Sequence, residues 1–179
     1  MSLMGLDIGT TGAKAVVFDE NADILSSAYR EYPIHSPQAG WLELQPDEVW
    51  LLAVEAVNEA AGAISDRVTA LAVSCLGEAA IPMDKEGRVL YPAILGFDNR
   101  AETLAATWLA DHDPQEIMEI SGMPPSQVFS LFKLMWLRDN KPDLYRRLHR
   151  FLCVQAFACV LVGLPPKADY TIAARTMAL

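Results

Sequence analysis

Apolar and polar positions alternate near the start of the chain in a way that predicts three short β-strands. Apolar runs cover residues 3–7, 13–19 and 24–32, and the third run alternates more weakly than the first two. The intervening segments, residues 9–12 and 20–23, are rich in glycine, threonine, asparagine and aspartate, which is typical of tight turns. Three strands joined by such short turns predict an antiparallel meander.

A helix is predicted to begin at Pro46, after a loop over residues 33–40. Proline suits the first helical position because its missing N–H would be unpaired there. Asp47 and Glu48 place negative charge at the positive end of the helix dipole. Apolar residues then recur at helical spacing as far as Gly62, where glycine ends the pattern.

The remaining segments complete the predicted fold class. Residues 68–75 are apolar without clean alternation, which predicts a strand covered on both faces. A hairpin signal follows, with strands predicted at residues 79–83 and 88–91 around the sequence Asp-Lys-Glu-Gly. The later pattern predicts helices near residues 100–110, 114–121, 128–139 and 142–148, a strand at 151–154, a helix at 155–162 and an interrupted tail from 168. This order predicts an α/β fold with a mixed sheet flanked by helices.

Composition restricts the class of protein. The chain has 179 residues, of which 52% are hydrophobic, but it lacks the run of about 20 apolar residues that a membrane span needs. The N-terminus has no basic lead-in, and charged residues interrupt its apolar stretch, so it does not fit a secretion signal. Cys75, Cys153 and Cys159 lie in apolar surroundings without metal or redox spacing, which predicts buried, reduced thiols. We therefore expect a soluble, cytoplasmic protein.

The distribution of charge argues against nucleic acid as a partner. The formal net charge is −9, and the positive residues are scattered apart from one short stretch at residues 146–150. A nucleic-acid-binding protein needs a concentrated positive surface. Anionic small molecules would instead be bound by backbone N–H groups, a metal ion or single cationic side chains. Neither nucleic acid nor a membrane is an expected partner.

The first predicted hairpin carries the clearest candidate chemistry. Its glycines let backbone N–H groups approach an anion, and its threonines add hydroxyl donors. The aspartate before the turn suits Mg²⁺, which takes one or two carboxylates together with phosphates, and the lysine after it adds a positive charge. The candidate phosphate-binding residues are Asp7, Gly9, Thr10, Thr11 and Lys14, and Asp7 is also the candidate metal ligand. A simple polar β-hairpin is the alternative, because turns are commonly rich in glycine and threonine.

This hairpin resembles the first phosphate hairpin of the superfamily that contains actin and the sugar kinases. Four later segments resemble motifs of one branch, the FGGY carbohydrate kinases, which include glycerol, xylulose, ribulose and gluconate kinases. They are WLELQPDEVW at residues 41–50, AILGFDNR at 93–100, KLMWL at 133–137 and ADYTIAARTM at 168–177. The ordered matches make the resemblance specific. It covers the whole chain but only the first third or so of a family member.

The resemblance implies a fold and roles for the hairpin. The fold is an actin-like ATPase lobe of the ribonuclease H-like type. Residues 1–179 would form an incomplete N-terminal domain, with phosphate hairpin and part of the sugar pocket, and the second lobe would lie outside this chain. Asp7 would correspond to the aspartate associated with Mg²⁺, and Thr11 and Lys14 would face the γ-phosphate of ATP.

The resemblance also implies contacts with the sugar. Gly77 and Glu78 fall where family members contact substrate after a buried strand, and a carboxylate there accepts hydrogen bonds from two neighbouring hydroxyls. A solvated loop acid is the alternative for Glu78. Asp98 and Arg100 match the family's D-x-R, although they would alternatively pair with each other to fix a loop. Gly96 departs from the family's tryptophan, and Gly77 departs from the arginine of glycerol kinases, which argues against glycerol.

The expected function is phosphorylation of a hydroxyl of a small sugar, polyol or aldonate, with ATP and Mg²⁺ as cofactors. The resemblance implies that the aspartate accepting the hydroxyl proton lies beyond residue 179, so residues 1–179 alone are expected to show no turnover. Two alternatives stay open, an inactive sugar- or nucleotide-binding fragment and a non-kinase actin-like ATPase. An incomplete lobe would leave a sheet edge open, which predicts self-association into a homo-oligomer.

Overall fold

The computed structural model describes residues 1–77 and 79–177. The strands are β1 (Ser2–Ile8), β2 (Gly12–Phe18), β3 (Ile24–Glu31), β4 (Glu43–Leu44), β5 (Val68–Cys75), β6 (Ala79–Met83), β7 (Ala93–Leu95) and β8 (Arg150–Leu152). The helices are α1 (Pro46–Gly62), α2 (Glu102–Ala110), α3 (Pro114–Ser121), α4 (Ser130–Asn140), α5 (Pro142–Arg147), α6 (Val154–Leu161) and α7 (Tyr170–Ala174). The chain divides into two compact units. The first comprises Met1–Ile34 and Gln45–Leu76, and the second comprises His35–Leu44 and Gly77–Leu179.

A mixed sheet in the order β3-β2-β1-β5 forms the first unit. β1 pairs antiparallel with β2 and parallel with β5, and β2 pairs antiparallel with β3. Alternation along β1 buries Met4, Leu6 and Ile8 on one face and exposes Leu3 and Asp7 on the other. α1 packs mainly against β2 and β3. The predicted meander and helix are thus confirmed, and the sheet face that carries Asp7 is the exposed one.

The surroundings of β5 differ from the prediction. The strand has the predicted bounds, but it is exposed rather than covered on both faces, and Leu71 and Val73 are 49% and 38% exposed. The reason is its place in the sheet, because β5 lies at the edge while α1 packs over β2 and β3. An exposed apolar edge strand is the feature on which self-association would depend, and that association stays a prediction.

A second, antiparallel sheet in the order β4-β7-β6-β8 and the helices α2 to α7 form the second unit. Its core cluster consists of Ile94, Ala101, Ala105, Phe132, Trp136 and Leu137. The predicted strand at residues 88–91 is reduced to one bridge between Met83 and Val89. β6 pairs instead with β7, which begins after Pro92, a residue without an N–H to donate to a ladder. The predicted α/β class, with a mixed sheet and flanking helices, is confirmed.

Two expectations from composition have outcomes in the structure. The three cysteines are free thiols, but they are half-buried, so the prediction that they are buried was wrong. Burial raises the pKa of the Cys153 thiol. Across residues 1–77 and 79–177, no helix combines the length and apolar character needed to cross a membrane.

Candidate functional site

The turn between β1 and β2 is closed by its own backbone. The Gly9 N–H donates to the Gly12 carbonyl over 2.9 Å, which places Thr10 and Thr11 at the tip. Among the described residues, neither threonine donates its backbone N–H to a backbone carbonyl. The backbone of the turn thus makes no use of these two amides as donors, and the anion binding that the sequence predicted for them stays a prediction.

Asp7 and Lys14 face each other beside the turn. They are Cα partners across β1 and β2, and both side chains are exposed. On its other side, Asp7 is the Cα partner of Ser74 in the parallel strand β5. The pairing explains why residues seven positions apart in sequence can act together, since the hairpin folds them onto the same exposed face.

Tyr29 of β3 and Tyr32, which follows β3, form hydrogen bonds to the backbone of the turn. The Tyr32 hydroxyl donates to the Gly9 carbonyl over 2.7 Å, and the Tyr32 N–H donates to the Thr11 carbonyl over 3.2 Å. The Tyr29 hydroxyl reaches the same Thr11 carbonyl at 3.4 Å. Burial, with smaller effects from nearby Tyr29 and Asp7, raises the pKa of Tyr32, so its hydroxyl stays a donor. Neither tyrosine was predicted to belong to the site. The signal in the sequence was their place in the predicted third strand, because in a meander that strand pairs with the second strand of the hairpin.

Close contacts account for the presence of glycine at positions 9 and 12 of the turn. A Cβ on Gly9 would lie 3.1 Å from the Gly12 carbonyl oxygen, which is tighter than most real contacts of this kind. A Cβ on Gly12 would overlap the phenol ring of Tyr29. A side chain at either position would therefore force a neighbouring group to shift, and it would also reduce the access that glycine gives to an anion.

A cleft of about 340 Å³ opens on the first unit next to this hairpin. Its lining is mainly apolar, and Asp7, Lys14 and Ser74 supply its polar side chains. A carboxylate beside an ammonium and a hydroxyl fits a magnesium–phosphate complex, because Mg²⁺ takes most of its ligands from water and phosphate. Within the described residues there is no group of three or more side chains that would enclose a metal ion by themselves. The metal-binding role that the sequence predicted for Asp7 stays a prediction.

Arg100 lies at the centre of a buried charged cluster in the second unit. Its Nη2 is 2.7 Å from Asp98 Oδ2 and its Nη1 is 2.8 Å from Glu43 Oε1, and the Arg100 and Asp98 side chains have no exposed surface. The guanidinium lies 4.1 Å from the centroid of the Trp41 ring and 5.1 Å from that of Trp136. Burial opposes the charge, but the hydrogen bonds that Arg100 donates to Asp98 and Glu43 outweigh this effect and raise the pKa of Arg100. We call these five residues the Arg100 cluster.

The Arg100 cluster brings together three of the segments on which the resemblance was based. Trp41 and Glu43 come from the first, Asp98 and Arg100 from the second, and Trp136 from the third. The structure shows the alternative pairing that the sequence left open, since Asp98 and Arg100 bind each other. Full burial leaves no surface for direct contact with a ligand in this conformation, so the substrate role predicted for the pair stays a prediction.

Asp98 and Lys133 form hydrogen bonds to the backbone at and around the turn that follows β7, residues 95–98. The Asp98 carboxylate accepts the Leu42 N–H at 2.5 Å and the Arg100 N–H at 2.9 Å. The Lys133 ammonium, which is almost fully buried, donates to the Gly96 carbonyl over 3.2 Å and also to the Val128 carbonyl. In the sequence, Lys133 is part of the KLMWL segment, and no role was predicted for it. A lysine within an apolar helical segment was the signal that its charge has a buried partner.

Gly77 lies in the second unit, just before β6. A Cβ built on it would be 3.8 Å from Arg175 Nε and 3.8 Å from Ile172 Cδ1, so α7 and the residue after it pass close to this glycine. Glu78, the other predicted sugar-binding residue of this loop, lies outside the described residues. The sugar-binding roles of Gly77 and Glu78 therefore stay predictions.

The fold and the hairpin define the class of protein as one with the actin-like ATPase fold. The sequence model described as "FGGY family of carbohydrate kinases, N-terminal domain" matches residues 2–179. The chain belongs to this family. Membership favours the kinase interpretation over the alternative of a non-kinase actin-like ATPase.

Curated relatives support the same family. A glycerol kinase of Thermococcus onnurineus is 31% identical over 182 residues, covering 98% of this chain and 37% of the relative. A glycerol kinase of Pseudomonas entomophila is 34% identical over 152 residues, covering 83% of this chain and 30% of the relative. The chain thus spans little more than a third of the length of the curated relatives that it matches.

Solved structures agree on the fold. A gluconate kinase from Lactobacillus acidophilus superposes with a TM-score of 0.94 at 23% identity, covering 99% of this chain and 36% of that one. A xylulose kinase from Rhodospirillum rubrum gives 0.92 at 24% identity, with coverages of 99% and 37%. A Plasmodium falciparum glycerol kinase with ADP gives 0.90 at 24% identity, with the same coverages. At these identities the likeness concerns the fold, and it does not select a substrate.

Proposed function

We propose that the protein containing this chain transfers the γ-phosphate of ATP to a hydroxyl of a small sugar, polyol or aldonate. The observation that carries the proposal is the hairpin of the first unit. Its turn is closed by the Gly9–Gly12 hydrogen bond, and Asp7 and Lys14 project together from its exposed face. In phosphoryl transfer the protein mainly positions groups and neutralises charge, and these are the groups that such work needs.

Each residue of the hairpin has a role in the proposal. The Thr10 and Thr11 amides, together with their hydroxyls, bind phosphate oxygens at the tip of the turn. Lys14 neutralises negative charge on the terminal phosphate as a point charge. Asp7 holds Mg²⁺ or its water shell, and the bound ion supplies charge neutralisation and orientation of the phosphates. Tyr32 and Tyr29 keep the turn carbonyls directed away from the anion by hydrogen bonding to them.

A sugar panel tests the activity. The protein expressed from its complete natural reading frame is assayed for ADP release with Mg·ATP and a series of ketoses, polyols and aldonates. We expect release that depends on one of these classes of acceptor. ATP hydrolysis that is indifferent to every acceptor would contradict the proposal, and sugar binding without any ATP dependence would favour the alternative of a binding protein.

A glycine pair tests whether the hairpin is the phosphate site. Gly9→Ala places a Cβ 3.1 Å from the Gly12 carbonyl oxygen, so the backbone of the turn must shift to relieve a tight contact. We expect its affinity for Mg·ATP to fall about tenfold or more, which corresponds to about 1.4 kcal/mol of binding free energy. Gly62→Ala is the matched control, because a Cβ there meets no atom within 4 Å. Equal affinities for the two variants would mean that the nucleotide binds elsewhere.

The catalytic capacity of residues 1–179 alone is a separate part of the proposal. Because the family resemblance implies that the proton-accepting aspartate lies beyond residue 179, we infer that these residues bind ligands without turnover. Sugar-dependent ADP release from the isolated 179-residue chain would show that this part is wrong. It would leave the proposed reaction itself in place.

A further inference from the structure

One buried carboxylate in the second unit contacts two exposed guanidinium groups. Asp84 follows β6, and its side chain is only 3% exposed. Its Oδ2 lies 2.8 Å from Arg88 Nε and 3.8 Å from Arg147 Nη2, although the side chains of Arg88 and Arg147 are 67% and 61% exposed. Its Oδ1 accepts the Glu86 N–H at 3.1 Å and the Arg88 N–H at 2.9 Å. A group inside the protein thus positions two arginines whose side chains mostly face solvent.

The charges around Asp84 leave a positive excess. Burial works against its ionisation, but hydrogen bonds from the Arg88 N–H, the Arg88 guanidinium and the Glu86 N–H lower the pKa of Asp84, so it carries one negative charge. Glu86 lies 3.3 Å from Arg88 Nη2, and the Lys85 ammonium lies 3.8 Å from Glu86 in turn. The contact of Arg147 with Asp84 is longer than a hydrogen bond, so this guanidinium keeps its donors for another acceptor.

A cleft of about 410 Å³ opens beside Arg147. Its lining combines the ammonium of Lys141 with an amide and with apolar side chains, which are Asn140, Leu90, Pro142 and Leu144. Arg88 and Leu90 lie two residues apart on an extended segment that pairs with the end of β6. Side chains at this spacing point to the same side, so Arg88 lies on the side of the segment that faces the cleft.

The one carboxylate in the lining of this cleft already has a cation. Asp143 forms an ion pair with Arg146, one turn further along α5, and Arg146 does not line the cleft. Lys141 has its ammonium 5.9 Å from the centroid of the Tyr91 ring, and in the part of the chain that the structure describes it forms no ion pair with a carboxylate. The cleft therefore offers positive charge to a ligand, on a chain whose formal net charge is −9.

This combination suits a phosphate group attached to a small organic body. A planar guanidinium donates to two phosphate oxygens at once, and an ammonium adds a point charge. The apolar side chains and the Asn140 amide match a carbon chain that carries hydroxyls. The volume of the cleft lies within the range of about 300–1,000 Å³ that is usual for small-molecule sites.

We propose that Arg88, Arg147 and Lys141 form a binding site for a small organic phosphomonoester, with the cationic groups on the phosphate and the carbon body in the cleft. Asp84 is a positioning residue that orients the two guanidinium groups. The site uses none of the residues of the β1–β2 hairpin, and its existence does not depend on the proposed transfer of phosphate from ATP.

A matched pair of ligands tests this. Binding of glucose 6-phosphate and of glucose is measured by calorimetry on the protein expressed from its complete natural reading frame, with Mg²⁺ and a non-hydrolysable ATP analogue present to occupy the hairpin. We expect Arg147→Gln to weaken glucose 6-phosphate about tenfold, because hydrogen bonds to charged groups are the strong ones. Lys141→Gln should weaken it by a smaller factor. Lys167→Gln is the control, since it removes one exposed positive charge that does not line the cleft.

Asp84→Asn separates a built site from a surface that is merely positive. The substitution makes the surface more positive, so attraction by charge alone would strengthen the binding of glucose 6-phosphate. If Asp84 orients the arginines, the affinity falls instead, and we expect a loss of about threefold or more. Circular dichroism checks that the variant is folded. If it is not, the comparison of Arg147→Gln with Lys167→Gln decides the question.

Three results would overturn the proposal. The first is glucose 6-phosphate binding no more tightly than glucose, since the phosphate would then contribute nothing. The second is an equal loss of affinity in Arg147→Gln and Lys167→Gln, because the effect would be one of overall charge. The third is a loss in Lys14→Met with none in Arg147→Gln, which would place the phosphate at the hairpin. None of these results bears on whether the protein phosphorylates a sugar.

Discussion

The candidate phosphate hairpin of the first unit and the Arg100 cluster of the second unit use charged residues in opposite ways. At the hairpin, Asp7 and Lys14 are exposed and the backbone is held by tyrosine hydroxyls. In the Arg100 cluster, the charges are buried against one another and against tryptophan rings. In the sequence, the hairpin resembled the superfamily and the segments of the Arg100 cluster resembled the family. The difference shows that a motif match alone does not separate a residue that meets a ligand from one that positions a loop.

The two regions should respond differently to the same kind of substitution. Removing a charge from a buried cluster leaves its partner buried and uncompensated, which costs stability. Removing an exposed charge costs little stability, and any effect must then appear in ligand binding. The predictions below follow this contrast, beginning with the largest expected loss of folding stability.

Arg100→Leu should be the most destabilising of these changes. It removes the partner of both Asp98 and Glu43, whose carboxylates would remain buried. Breaking a buried ion pair in this way costs about 3–5 kcal/mol in the free energy of unfolding. Urea unfolding followed by tryptophan fluorescence measures it, with Arg146→Gln as an exposed control. If Arg100→Leu loses no more than the control, the cluster is not a stabilising element.

Lys133→Met should be less destabilising. The substitution keeps the aliphatic volume but removes the donor to the Gly96 and Val128 carbonyls. Leaving a buried acceptor unsatisfied costs about 1–3 kcal/mol, and the removal of a buried charge offsets part of this. The same unfolding measurement applies, and Lys85→Met serves as the exposed control. A more stable Lys133→Met variant would show that the free-energy cost of burying the ammonium exceeds the stabilisation from its hydrogen bonds.

The comparison also shows how far the sequence alone could lead. The alternation in β1 and β2 and the turn composition were sufficient to predict the hairpin and its five candidate residues, because those signals are local. The burial of Lys133 could not be predicted, since a lysine in a helix is ordinarily solvated and its partners lie 37 and 5 residues away. The exposure of β5 was missed for a similar reason, because its neighbours depend on the order of strands in the sheet rather than on its own pattern.

Tyr32→Phe should cost about 1 kcal/mol, which is typical for one hydrogen bond, here the bond to the Gly9 carbonyl. It should also change the pH dependence of stability. Since the folded protein raises the pKa of Tyr32 above its ordinary value of 10.0, this group contributes stability that is complete below that pH and is lost as the pH rises through the folded pKa. Unfolding measured from pH 8 to about pH 11 should therefore show a stabilising contribution, relative to Tyr32→Phe, that is complete below pH 10 and shrinks above it as the unfolded chain ionises. If the free energy of unfolding changed with pH in the same way for the unmodified protein and for Tyr32→Phe, this prediction would be contradicted.

Asp7→Asn and Lys14→Met should have the smallest effect on folding. Both side chains are exposed, so we expect the free energy of unfolding to change by no more than about 0.5 kcal/mol. Binding of Mg·ATP should respond strongly, and the two variants should differ in its dependence on the metal. Asp7→Asn should lose most of the gain in ATP affinity that Mg²⁺ produces, whereas Lys14→Met should weaken ATP binding both with and without Mg²⁺.

Calorimetric titrations at several Mg²⁺ concentrations measure this, with Lys85→Met and Asp143→Asn as exposed controls from the second unit. If the hairpin variants bind Mg·ATP as the controls do, the exposed charges of the first unit form only a polar hairpin, and the contrast with the buried charges of the second unit would concern stability alone.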